Sequence, residues 1–246
     1  MKTQKFPTVA VQCLVAGLLA MSGSLASAKG DSYAYMASPT ADFGIVDLDT
    51  GVFTLCGDTG LILAGLGLGA DGTIYTAASD GFGYYSVDPR NGKLTNAGDT
   101  NVPIWGFGST ADGSLYALDV KANLYSISGP GGTTLIGATG IVRAGGLPGV
   151  SAGAPKLYIS WGTTLYVVNT QNAKARAIGT EVSGFGGFVQ AHGTLYGGAN
   201  NTSPPSIYRV NKISGADTLV APLQGEIWGF SGLVPAPKKV KGNCRK

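Results

Sequence analysis

One unit recurs along this chain at intervals too regular for chance, and it limits what the chain can fold into. The segment Gly44-Ile45-Val46-Asp47-Leu48-Asp49-Thr50-Gly51 returns as Tyr85-Ser86-Val87-Asp88-Pro89-Arg90-Asn91-Gly92, and in shorter form at Tyr125, Tyr166 and Tyr208. The successive spacings are 41, 40, 41 and 42 residues. Upstream of each copy lies a short apolar run holding Tyr35, Tyr75, Tyr116, Tyr158 or Tyr196, several of them just after a tight turn: Asp71-Gly72, Asp112-Gly113, His192-Gly193. Glycine accepts positive φ without steric cost, so these are hairpin turns. A glycine-rich run precedes each turn, as in Ala64-Gly65-Leu66-Gly67, Trp105-Gly106-Phe107-Gly108, Ala144-Gly145-Gly146-Leu147 and Ser183-Gly184-Phe185-Gly186. A fourth run, such as Lys93-Leu94-Thr95-Asn96, follows.

Named A to D in order, the four runs form an antiparallel meander that cannot bury both faces alone, so neighbouring units must stack. Radial stacking of units near 40 residues is a β-propeller. The fold expected is all-β: a five-bladed β-propeller of four-stranded antiparallel blades. The first blade opens at strand B, near Ser32 to Met36, and its missing A strand lies at the far end as Glu226-Ile227-Trp228-Gly229-Phe230-Ser231-Gly232-Leu233, which matches Pro103-Ile104-Trp105-Gly106-Phe107-Gly108. The C-terminal strand is therefore expected to complete the first blade and close the ring, protecting open edges. Closure also explains two cysteines. Cys56 ends the outermost strand of the first blade, and the tail leaves its innermost strand. The crossing is roughly 14 Å, three spacings of ~4.8 Å, within reach of Val234 to Cys244 at ~3.3 Å per residue. A Cys56–Cys244 disulfide is predicted.

Residues 1–28 read as a signal peptide: Lys2 and Lys5, an apolar core from Val9 to Leu19, and an Ala26-Ser27-Ala28 cleavage site. The apolar stretch is shorter than the ~20 residues of a membrane span, so the expectation is a secreted or periplasmic protein with no membrane span. The propeller is assigned to 29–234 and a basic tail to 235–246. The tail holds Lys238, Lys239, Lys241, Arg245 and Lys246, while residues 29–237 carry 10 basic and 14 acidic groups, a balance of −4. A body without a basic stripe argues against a nucleic-acid partner.

Read through its Asp-Gly-x-Leu-Tyr and Tyr-x-Val-Asp elements, the repeat resembles the broad superfamily of exported propellers with NHL-like or quinoprotein-like repeats, over nearly all of the chain after residue 28. Such families include sugar binders, scaffolds, lyases and hydrolases, so the resemblance implies a fold and no single activity.

The chemistry on offer is sparse. The lone histidine, His192, occupies a turn position. No cluster of His and Cys has zinc or copper spacing, so no metal site is assigned, and no organic cofactor is required. Calcium on main-chain carbonyls of the central channel is the one ion the architecture accommodates. Asp47-Leu48-Asp49-Thr50-Gly51 falls at the turn of every other blade and reads as a turn. Asn200-Asn201-Thr202 and Asn201-Thr202-Ser203 are overlapping glycosylation sequons that read as a polar hairpin tip. The residues that break the repeat at the start of strand A are more informative: Trp105 and Trp228 with Arg143 are ligand-binding candidates, and Glu181 and Glu226 are candidates for an acid–base pair. The functions expected are an exported binding or protein-interaction propeller with a carbohydrate or protein ligand, a propeller hydrolase or lyase using the axial carboxylates or a channel cation, or a structural surface protein. An enzyme should place Glu181 and Glu226 beside one cavity.

Overall fold

The computed structural model describes residues 32–79, 81–129, 132–143, 146–181, 184–236 and 244. The expected signal peptide and most of the expected basic tail lie outside them. Among the described residues there are strands and turns, and no helix long and apolar enough to cross a membrane.

The order of strands follows the repeat. β1 (Tyr33–Ala37), β2 (Asp42–Asp47) and β3 (Phe53–Asp58) open the chain. β4 (Gly67–Leu68), β5 (Ile74–Ala77), β6 (Gly83–Val87) and β7 (Leu94–Asp99) make one four-stranded meander. Another comprises β8 (Gly106–Ser109), β9 (Leu115–Leu118), β10 (Asn123–Ser128) and β11 (Gly132–Ala138). The meander β12 (Gly149–Ala152), β13 (Leu157–Trp161), β14 (Thr164–Val168) and β15 (Ala175–Thr180) is joined to β16 (Phe185–Ala191), β17 (Thr194–Ala199), β18 (Ser206–Val210) and β19 (Asp217–Pro222). The join is a parallel pairing of Ser151 with Phe188 and Ala152 with Val189, which makes one eight-stranded sheet. Finally β20 (Gly232–Pro235) returns to pair antiparallel with β1, giving the order β20-β1-β2-β3. The C-terminal strand thus completes the first sheet, as the offset of the repeat requires.

The core lies between successive meanders. Tyr35, Phe43 and Ile45 of the first pack against Leu66, Ile74 and Val87 of the next. Met36, Val46 and Leu48 pack on the other side against Val189, Ile207 and Leu233. Both faces of β1 are therefore used, and the last meander packs against the first. Along the axis the innermost strands approach backbone to backbone. A Cβ added at Gly232 would stand 2.6 Å from Leu66 N and 2.8 Å from Gly65 C. Gly232→Val should cost about 2–3 kcal/mol through this overpacking, read as a lower denaturation midpoint with an unchanged slope.

The innermost strands begin later than the glycine runs indicate. Gly67, Gly108, Ser151, Val189 and Val234 stand opposite the repeat tyrosines Tyr75, Tyr116, Tyr158, Tyr196 and Tyr35. The glycine runs are mostly approach segments, and cross-strand pairing sets the register. On this register Trp105 is level with Ala64, Pro148, Gly186 and Ser231, and Trp228 lies three residues upstream. The equivalence of Trp105 with Trp228 is thereby corrected: matching glycines aligned the segments, but the ladder places them differently.

Each outermost strand carries a β-bulge at the same place, with Cys56, Ala97, Ile136, Ile178 and Val220 as the extra residues. All five are apolar and buried or part-buried. A bulge twists an edge away from pairing with other chains. Cys56 is joined to Cys244 across a sequence separation of 188, with Cα atoms 4.6 Å apart. The disulfide predicted from strand order is present, and it ties the chain beyond the innermost strand to the outermost one.

Candidate functional site

The antiparallel order gives the sheets two ends. At the entry face, the chain arrives from an outermost strand to start the next innermost one, and the hairpins between second and third strands turn. At the opposite turn face lie the remaining hairpins, where Gly72, Gly113, His192 and Gly193 all take positive φ.

The entry face is built on a recurring threonine. Thr59, Thr100 and Thr139 are buried. Each donates its main-chain N–H to Ala41, Phe82 or Ala122 O (2.9, 2.7 and 3.1 Å). Each hydroxyl reaches the same carbonyl at 2.9, 3.0 and 2.7 Å. In the next meander the main-chain bond persists, from Glu181 N to Thr163 O at 2.8 Å, but the side chain is a carboxyl. It is 4% exposed. Ser160 Oγ donates to Glu181 Oε2 at 2.5 Å and accepts the Phe185 N–H at 3.3 Å. Glu181 Oε1 is buried with no hydrogen-bond partner among the described residues. Burial drives the carboxyl up to about 8, against the Ser160 hydrogen bond, and the charge of Asp217 adds to the rise. At neutral pH this carboxyl is mostly protonated, the form of a proton donor and not of a base.

Ser160 also breaks the repeat. Two residues beyond the repeat tyrosines, the other units have Ala37, Ala77, Leu118 and Gly198. Ser160 lines a depression of about 470 Å³ together with Ile62, Leu147, Phe185, Asn200 and Phe230, and Glu181 stands behind it. Asn200 has a structural task as well. Its amide grips the main chain of Phe230 from both sides: Nδ2 donates to Phe230 O at 2.8 Å, and Phe230 N donates to Oδ1 at 2.6 Å. At the equivalent place in the second meander the backbone of Ser79 bridges Ile104. The sequon reading therefore places Asn200 in a clamp on the approach to β20.

The remaining candidates separate. Trp105 is half-buried, and the exposed Arg143 guanidinium stacks over its ring at 4.5 Å. Trp228 is 78% exposed. With Glu226, Asn200 and Pro205 it lines a second depression of about 570 Å³. Trp105 and Arg143 line neither depression. Glu226 is exposed at the second one, and Glu181 is buried beside the first, so they share neither. Among the described residues no three His, Cys, Asp or Glu side chains gather to hold a metal ion. Sequence reasoning passed over Ser160 and the clamp of Asn200. Aligning the repeat exposes Ser160 as a polar break, but nothing in it shows that Ser160 meets Glu181.

No protein-family model and no curated protein matches this chain. Among solved structures it is similar to a chain of the crystal structure of a nidogen/laminin complex, with a TM-score of 0.56 and 11% sequence identity. The match covers 85% of this chain and 99% of that one. Together with the sheet topology, this shows a propeller-like, all-β fold.

Proposed function

We propose that this chain is an exported, five-bladed propeller that binds a protein partner through its entry face. The observation that carries the reading is the apolar character of that face. Ile62, Phe82, Val142, Leu147 and Trp228 are exposed there, on connections and a hairpin from separate parts of the chain, with Val142 at 80%. Exposed apolar side chains beside shallow depressions, Ile62 and Leu147 at the first and Trp228 at the second, are what an interface core requires. Other exposed apolar side chains lie on the outermost strands, as do Leu55, Leu135 and Leu219, or singly in a hairpin of the turn face, as does Ile213. The blade count is supported by five repeats in sequence and by an eight-stranded sheet that divides into two meanders. Export is supported by the leader at 1–28 and by the disulfide. The similar chain comes from a nidogen/laminin complex, which is consistent with such use of the fold.

The test is affinity capture from the exported fraction of the source cells, with wild type and an Ile62→Asp, Trp228→Ala double variant immobilised in parallel. Loss of an exposed tryptophan anchor is worth about 2 kcal/mol, or roughly 30-fold in affinity. A partner held equally by both proteins would place the interface elsewhere. A sugar ligand is the second reading, favoured by the exposed indole of Trp228 beside Glu226 and Asn200. On a glycan array it requires saturable binding that Trp228→Ala alone abolishes.

A further inference from the structure

The turn face is divided in charge. In the first part of the chain its hairpins carry Asp47, Asp49, Asp71, Asp88 and Asp112. In the eight-stranded sheet the places of Asp47 and Asp88 are taken by Asn169 and Asn211, and those of Asp71 and Asp112 by Ala154 and His192. Turn geometry does not demand the change. Asp47 Oδ1 accepts from Asp49 N at 2.8 Å and Asp88 Oδ1 from Arg90 N at 3.0 Å; Asn169 Oδ1 accepts from Gln171 N at 2.8 Å and Asn211 Oδ1 from Ile213 N at 2.9 Å. The amide caps the turn as the carboxylate does and leaves out the negative charge.

Arg209 of β18 is paired with Asp49 at 3.7 Å, and Asp217 remains at the start of β19; the cations of the meander β12 to β15 have no such partner among the described residues. In the second meander Arg90 is paired with Asp88 at 2.8 Å. In the eight-stranded sheet Lys156, Lys174 and Arg176 line one depression of about 460 Å³, and no acidic residue lines it with them. None of the three is in an ion pair among the described residues. Asp112, close in sequence to Thr110 on the rim, is held in its own turn by Thr110 Oγ1 at 2.6 Å and Ser114 N at 3.1 Å. This is a basic patch on the body that counting charges along the chain conceals.

We infer that the depression between Lys156, Lys174 and Arg176 is a binding site for an acidic polysaccharide, a chain of carboxylated or sulfated sugars. Three cations on one rim suit closely spaced oxyanions. Thr110, Thr170 and Gln171 beside them offer partners to sugar hydroxyls. No aromatic side chain lines the site, so it lacks the stacking platform that single-stranded nucleic acids use. The site is on the face opposite the proposed protein interface, and either can fail without the other.

The experiment measures binding of the full oxidised chain to heparin, as the sulfated probe, to polygalacturonate, as the carboxylated probe, and to an oligothymidylate, at two salt concentrations. The variants are Lys156→Gln/Lys174→Gln/Arg176→Gln in the site and Lys238→Gln/Lys239→Gln/Lys241→Gln in the tail. Wild type should bind at least one polysaccharide more tightly than the oligonucleotide. The site variant should bind it at least ~10-fold more weakly, about 1.4 kcal/mol lost with three exposed cations, and with a shallower salt dependence. The tail variant should stay within about threefold. Three results would each overturn the assignment: no polysaccharide binding by folded wild type, equal binding by the site variant, or a preference for the oligonucleotide. An equal or larger loss in the tail variant would overturn it too, moving the site to residues 238–241.

Discussion

Cys56→Ser, Cys244→Ser and the double variant should each melt roughly 10–20 °C below wild type, and wild type in reductant should join them. The bond closes a loop with a separation of 188 residues, and on the chain-entropy model a loop of that length is worth about 5 kcal/mol. For a domain near 200 residues each kcal/mol moves the midpoint by about 2–4 °C. The structural reason is the shortness of β20. Its four residues pair with β1 at the end of the chain, where fraying would reopen the contact between the last meander and the first. Hydrogen exchange should show β20 losing protection before β13 or β17. Calorimetry on oxidised and reduced protein checks the prediction; identical melting curves, with the bond verified by mass spectrometry, would show that β20 is held by packing alone.

Glu181 should make the protein less stable as pH rises. Its ordinary value is 4.5 and its folded value is about 8. Between those two pH values the folded state binds the proton and the unfolded state releases it, so stability falls across the window and stays low above it. A shift of this size on a side chain 4% exposed is worth on the order of 5 kcal/mol at its full extent. Glu181→Gln, neutral at every pH, should match wild type near pH 5 and exceed it increasingly towards pH 9. Glu181→Thr with Ser160→Ala restores the side-chain types of the other units, and its hydroxyl is placed to reach Thr163 O as Thr59 reaches Ala41 O. It should show the same flat profile. Thermal melts from pH 5 to 9 decide the matter: if wild type and Glu181→Gln fall in parallel, the carboxyl is not the titrating group.

Both predictions rest on residues that stand out in the amino-acid sequence, but to different depths. Cys56 and Cys244 could be joined from the sequence because strand order in a meander sets which strand is inner and which is outer, and a crossing of four strands is a matter of length. Glu181 could be singled out as a charged break in the repeat. Its partner could not be assigned, because Ser160, itself a polar break in the repeat, lies 21 residues away and nothing local shows that the two meet. The mismatch of Trp228 with Trp105 has a related origin. Both stand before a glycine in similar words, Ile227-Trp228-Gly229-Phe230 and Ile104-Trp105-Gly106-Phe107, yet the ladder from Tyr35 to Val234 places them three residues apart in register.

What the amino-acid sequence determined by itself is everything carried by local pattern: strands from recurring short apolar and glycine-rich runs, hairpins from Asp-Gly and His-Gly turns, stacking from a recurrence of about 41 residues, and closure from its offset at the two ends. Those are short-range consequences of backbone sterics and of burying both faces of a strand. Tertiary structure alone decided which distant side chains come together: Ser160 with Glu181, Asn200 with Phe230, and Lys156 with Lys174 and Arg176. Such contacts depend on the twist and spacing of strands and sheets, which a linear order of residues does not encode one position at a time.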